Sequence, residues 1–180
     1  YWVAQNRSGR SHVWPGLYTG RIGRKTKGYA PSEILRQVDH TRRLKSRAGH
    51  IHFSMRTLQR DTNQIATRLR SGPYRSRALI PIMSWLDRSA PSSPRASVEP
   101  KPQSILLNWE APKDEDPFWR TVYVCAGGKW QLADVEPVTR NDYAISRTML
   151  REARIDRLAT SFVDRAGNES SRVQFRIPDR

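Results

Sequence analysis

The sequence predicts a chain in two parts: α/β plus all-β, with about two β/α units followed by an antiparallel β-sandwich. Two changes near residue 90 predict it. The charge balance shifts there, since residues 1–90 carry 18 Lys and Arg against 4 Asp and Glu, while residues 91–180 carry 14 against 13. The periodicity shifts as well. Short apolar runs alternating with helical spacing give way to repeated short strand-like runs separated by turn residues. Between the two lies Ser89-Ala90-Pro91-Ser92-Ser93-Pro94, a Pro/Ser linker. The predicted domains are therefore 1–88, a linker at 89–94, and 95–180.

In the first part, the run from His12 to Thr19 reads as a strand. Gly20, Gly23 and Gly28 mark a basic loop. Pro31 suits a helix start, and Ile34, Leu35, Val38, Thr41 and Leu44 follow at helical spacing until Ala48-Gly49. His50 to Met55 reads as a second strand. Leu58, Ile65, Ala66 and Leu69 predict another helix, broken near Asp61 and stopped by Gly72-Pro73. Ala78 to Ile82 is a last extended segment. Strand–helix–strand–helix order builds a parallel sheet, but two units alone leave its faces half bare, so further strands are expected upstream. The chain begins at Tyr1 and reads as a fragment.

In the second part, strand-like runs cover 104–109, 121–125, 130–132, 143–145, 157–163 and 172–177, with turn signals at Pro112-Lys113-Asp114, Ala126-Gly127-Gly128, Arg140-Asn141-Asp142 and Asp164 to Asn168. Six or seven short strands in this span predict an antiparallel sandwich.

Other features bound the function. No apolar run reaches the roughly 18 residues of a membrane helix. The single cysteine, Cys125, excludes an internal disulfide and reads as a core residue. The basic first half admits an anionic partner such as nucleic acid or acidic glycan, although its Lys and Arg are scattered rather than in blocks and also suit a solvated face.

Particular residues carry two resemblances. Leu107-Asn108-Trp109 with Pro112, Thr121-Val122-Tyr123-Val124, and Thr160 to Ser170 resemble a fibronectin type III domain. The resemblance implies that Trp109 packs between two sheets and that Asp164 to Asn168 makes the last hairpin. Leu158 departs from it, standing where that family often has tyrosine. His12 to Ile22, Ser32-Glu33-Ile34 with Gln37, Gly49 to Met55, Gly72-Pro73-Tyr74, Ala78 to Pro81 and Trp85-Leu86 resemble the C-terminal end of the glycosyl-hydrolase-like 10 family of bacterial proteins. That implies the tail of a TIM-type barrel, a secreted or envelope setting (periplasm included), and a carbohydrate substrate.

In a barrel tail, function gathers at the C-terminal strand ends. Tyr18 and Arg21 at the first end, and His52 and Ser54 at the second, are the candidate substrate-binding residues. His50, His52 and Ser54 share one strand face by period two. Each candidate equally suits an ordinary rim or interior role. Glycoside hydrolysis takes two carboxylates, yet Glu33, Asp39, Asp61 and Asp87, the acids of the first half, avoid the predicted strand ends. The catalytic pair is therefore expected upstream, and the fragment alone is expected to be inactive.

Other motifs fall short. Gly23 to Gly28 has phosphate-loop spacing, but Tyr29 stands in place of the required Lys. His50-x-His52 has no third ligand nearby, so neither metal nor cofactor is expected. Ser54 with His52 has no acid and no triad geometry. Asn168-Glu169-Ser170 reads as turn rather than glycosylation acceptor. The resulting expectation is the C-terminal part of a secreted glycan-acting hydrolase. Its rival is a non-catalytic basic module binding an anionic polymer.

Overall fold

Parallel strands need a crossover, and the crossover here carries an amphipathic helix. The computed structural model describes residues 2–43, 49–112 and 117–177. Contacts divide the chain into two units, Tyr1–Ser76 and Arg77–Arg180. Residues 77–88 thus group with the sandwich, and the division falls earlier than the composition change suggests.

In the first unit a short helix, α1 (Trp2–Gln5), precedes strand β1 (Gly16–Leu17), which pairs in parallel with β2 (Ile51–His52). The crossover helix α2 (Pro31–Arg43) lies between them in sequence. Its Ile34 and Val38, one turn apart, are fully buried. They pack with Leu17, Ile22, Ile65 and Leu69 into one core. The predicted residues Leu44 to Ala48 of this helix lie outside the described residues.

Both predicted strands are shorter than expected. Pro15 has no N–H to give a ladder, and after Leu17 the chain winds into a 3-10 turn at Thr19–Arg21. After His52 the chain stays extended only to Ser54, where α3 (Met55–Gln59) begins. The break expected near Asp61 is present. Asp61, Asn63 and Gln64 all take left-handed backbone angles. The Asp61 carboxylate then accepts from the amides of Ala66 (2.7 Å) and Thr67 (3.1 Å), capping α4 (Ile65–Ser71).

The second unit is an antiparallel sandwich. Strands β3 (Ala96–Pro100), β4 (Ser104–Trp109) and β7 (Asp142–Ser146) form one sheet in the order β3-β4-β7. Strands β5 (Trp119–Ala126), β6 (Lys129–Pro137), β8 (Ile155–Val163) and β9 (Val173–Arg176) form the other, ordered β6-β5-β8-β9. Period two aims Ile105, Leu107 and Trp109 inward from β4. They meet Val122, Val124, Ile145 and Leu158, with Leu150 from α5 (Arg147–Glu152) beneath them. The indole N–H of Trp109 donates to Thr160 Oγ1 across the core (2.8 Å). Leu158 is fully buried in that core, which an aliphatic side chain fills without needing a hydroxyl partner. Cys125 is a buried strand residue.

Two elements lack a clear sequence signal. Strand β3 carries Pro100 and a mixed polar pattern, and α5 is too short for periodicity to register. Conversely, Ala78 to Ile82 forms no ladder. That stretch runs along the sandwich hairpin, where Met83 N–H donates to the Ala166 carbonyl (2.7 Å). Gly167 has φ +85°, and a Cβ there would sit 2.9 Å from the Pro81 carbonyl, so the position takes glycine only. Asp164 closes the hairpin by accepting from the Asn168 amide and side chain, both at 2.8 Å.

Because Trp109 joins both sheets, Trp109→Ala should destabilise the sandwich by about 3–5 kcal/mol. Denaturant unfolding followed by far-ultraviolet dichroism checks this, and a loss under about 1 kcal/mol would contradict the packing described.

Candidate functional site

The C-terminal ends of β1 and β2 lie side by side because the ladder is parallel. Ile51 N–H donates to the Pro15 carbonyl (3.0 Å), and Phe53 N–H to that of Leu17 (3.1 Å). Gly20 N–H then donates to the Phe53 carbonyl (2.9 Å), tying the first strand's exit loop to the second strand's end. Beside this knot lies an open groove of about 530 Å³, whose lining includes Tyr18, Arg24, Phe53, Ser54, Arg56 and Arg60.

Its wall is aromatic. Tyr18 and Phe53 stack with centroids 4.6 Å apart and planes 20° apart. Gly16 permits this, since a Cβ there would lie 3.3 Å from the Phe53 ring. Phe53 remains 45% exposed. Its rim is cationic. Arg24 is held by two donated bonds, to the Gly20 carbonyl (3.0 Å) and the Tyr18 hydroxyl (2.7 Å). Arg60 is the C-cap of α3, one turn beyond Arg56, and its N–H donates to the Arg56 carbonyl (3.1 Å). Among the described residues, no carboxylate lines the groove.

The predicted site residues separate. Tyr18 and Ser54 line the groove, while Arg21 and His52 do not. Arg21 donates to the Tyr29 hydroxyl (3.0 Å) and lies over the Tyr29 ring. Ser54 is exposed and leaves the His50–His52 face, because the helix starting at Met55 ends the strand alternation.

His52 belongs to a hydrogen-bond chain behind the groove. Thr41 Oγ1 directs its proton to the Val38 carbonyl (2.8 Å), so it accepts from His50 Nδ1–H (3.2 Å). His50 Nε2 is then bare and accepts the Tyr74 hydroxyl proton. The Tyr74 oxygen in turn accepts from His52 Nε2–H (2.6 Å). His52 Nδ1 then accepts the Thr19 hydroxyl at 2.7 Å, the shorter of that hydroxyl's two contacts, the Leu17 carbonyl lying 3.3 Å away. With both imidazoles neutral, every contact in this chain has one donor and one acceptor. The surroundings agree. Burial, then the neighbouring His52 and Arg42, push His50 down to about 4 from its ordinary 6.5, and burial lowers His52 too. Burial also raises the Tyr74 hydroxyl, so it stays a donor. Among the described residues, no three His, Cys, Asp or Glu side chains converge as a metal site would require.

No family model matches the chain. Among curated proteins it is similar to Glycosyl hydrolase YngK of Bacillus subtilis (strain 168), with 31% identity over 104 residues. The match takes in 55% of this chain and 20% of that protein, so the chain spans about a fifth of that relative's length. Among solved structures, the Clostridium perfringens spore cortex lytic enzyme SleM is 17% identical, covering 50% of this chain and 28% of that one at a TM-score of 0.41. The fn3 domain of human collagen alpha-1(XX) is 16% identical, covering 50% and 86% at a TM-score of 0.38. At such scores the architecture rests on the strand pairings themselves.

Sequence reasoning missed Phe53, Arg24, Arg56, Arg60 and Tyr74. The spacing of Arg56 and Arg60 is a visible signal, but only once α3 is known to start at Met55 rather than continue as strand.

The histidine chain makes stability depend on pH. His50 binds a proton less readily folded than unfolded, so between about pH 4 and 6.5 the unfolded chain holds more protons. Stability of the first unit is then full above pH 6.5 and falls on acidification toward pH 4. Melting curves across this range should show that slope, and His50→Gln should flatten it. An identical slope in the variant would contradict the assignment.

Proposed function

We propose that the chain is the C-terminal part of a larger glycan-acting hydrolase. Its first unit is the closing β/α stretch of a TIM-type barrel, and its sandwich is a fibronectin-like spacer. The observation that carries this is the aromatic-walled groove at the C-terminal ends of two parallel strands joined through a helix, the end at which barrel enzymes bind substrate. An exposed aromatic face suits the C–H face of a sugar ring. The likeness to a glycosyl hydrolase supports the same reading.

Exposed apolar side chains support the barrel. Trp14 is 48% exposed, Ile51 52% and Met55 62%, all on or beside the two short strands. Neighbouring strands and helices of a longer chain would cover them. Among the described residues the groove has no carboxylate, whereas glycoside hydrolysis takes two. Catalysis thus falls to residues upstream, and this stretch supplies substrate contacts through Tyr18, Phe53 and Ser54. A secreted or envelope setting is part of the proposal.

The 180-residue chain should bind soluble glycan oligomers without releasing reducing ends. Phe53→Ala should weaken binding about fivefold by calorimetry, the scale of about 1 kcal/mol for one lost ring contact. Reducing-end release by this chain would overturn the upstream placement of catalysis, and unchanged affinity in Phe53→Ala would remove the groove from substrate binding.

A further inference from the structure

Among the described residues, no carboxylate neutralises the groove's charge; the Arg24 guanidinium meets only the Gly20 carbonyl and the Tyr18 hydroxyl and ring. Arg24, Arg56 and Arg60 all line the groove, and among the described residues none of the three forms an ion pair. Asp61, next to Arg60 in sequence, turns its carboxylate to the amides of Ala66 and Thr67. Three guanidinium groups with no acid among them hold a positive potential over a small area, which favours an anion. Arg24 is also oriented in advance by the Gly20 carbonyl and the Tyr18 hydroxyl, so less freedom is lost when it binds.

We propose that this groove takes an acidic glycan, with the carboxylate of a hexuronic sugar held by Arg24, Arg56 and Arg60 while the ring lies on Phe53. The inference rests on the glycan reading above and names its substrate class. A planar guanidinium matches a carboxylate with two parallel donors, which a hydrated ammonium does not. Among the described residues, the cations that line the groove are all arginine. The exposed Phe53 face beside them supplies the apolar contact that a bare anion site lacks.

The test compares two probes on the full chain by calorimetry: a galacturonate hexasaccharide, and the same hexasaccharide with its carboxyls methyl-esterified. The acid form should bind at least about tenfold more tightly, and the preference should shrink as salt rises. Arg56→Gln/Arg60→Gln should lose about tenfold on the acid form and little on the ester. Arg36→Gln/Arg68→Gln, which removes equal charge away from the groove, should change neither. Dichroism of each variant checks that it is folded.

Equal binding of acid and ester would overturn the acidic-glycan inference while leaving the glycan reading intact. Binding of neither would overturn both. Arginine-dependent binding of a single-stranded oligonucleotide, with no uronate binding, would overturn both in favour of a nucleic-acid module. Equal losses in the two arginine pairs would reduce the effect to net charge and overturn the site.

Discussion

The site depends on a parallel ladder of two residue pairs, Gly16 with Ile51 and Leu17 with His52. So short a ladder has little stability of its own, since each net backbone hydrogen bond contributes only about 1 kcal/mol. It holds because two sets of contacts fix it to the crossover helix. Ile34 and Val38 of that helix pack with Leu17 in one core. The chain from Thr19 through His52, Tyr74 and His50 to Thr41 ties both strand ends to the same helix by hydrogen bonds. Loosening either support would part Tyr18 from Phe53, and with them the wall of the groove.

The same arrangement separates holding from binding. Residues behind the strand ends are occupied with one another: His52 with Thr19 and Tyr74, and Arg21 with Tyr29. Residues in front keep free capacity, namely the outer face of Phe53 and the forks of Arg56 and Arg60. A site preorganised by rear contacts loses less freedom on binding. The sandwich follows a different logic. There β5 is buried on both faces, and its outer-face polar groups are paired locally: Thr121 with Ser161, and Tyr123 with Glu169. Burial lowers no stability where each hydroxyl has a partner.

Much of the sandwich is legible in the sequence because period two is a strong signal on half-buried strands, as at Ile105, Leu107 and Trp109. Strand β3 is not legible, because it is an edge strand whose residues are mostly exposed and one is proline. In the first unit, α2 is legible from Ile34 and Val38. The strand lengths are not, because apolar runs such as Val13-Trp14 and Phe53-Met55 look alike whether paired, looped or entering a helix. That ambiguity hid part of the site. Tyr18 and Ser54 follow from the strand-end rule alone, whereas Arg56 and Arg60 emerge only when Met55 begins a helix. Tyr74 lies beyond reach of local pattern, since its partners are 24 and 22 residues away.

The central claim is that glycan meets the strand-end groove, and amide chemical-shift mapping tests it most directly. Titrating a nitrogen-15-labelled chain with an oligosaccharide should shift amides within 18–24 and 53–62 and leave those of the sandwich sheets unmoved. Shifts confined to the sandwich, or none at saturating sugar, would contradict the account.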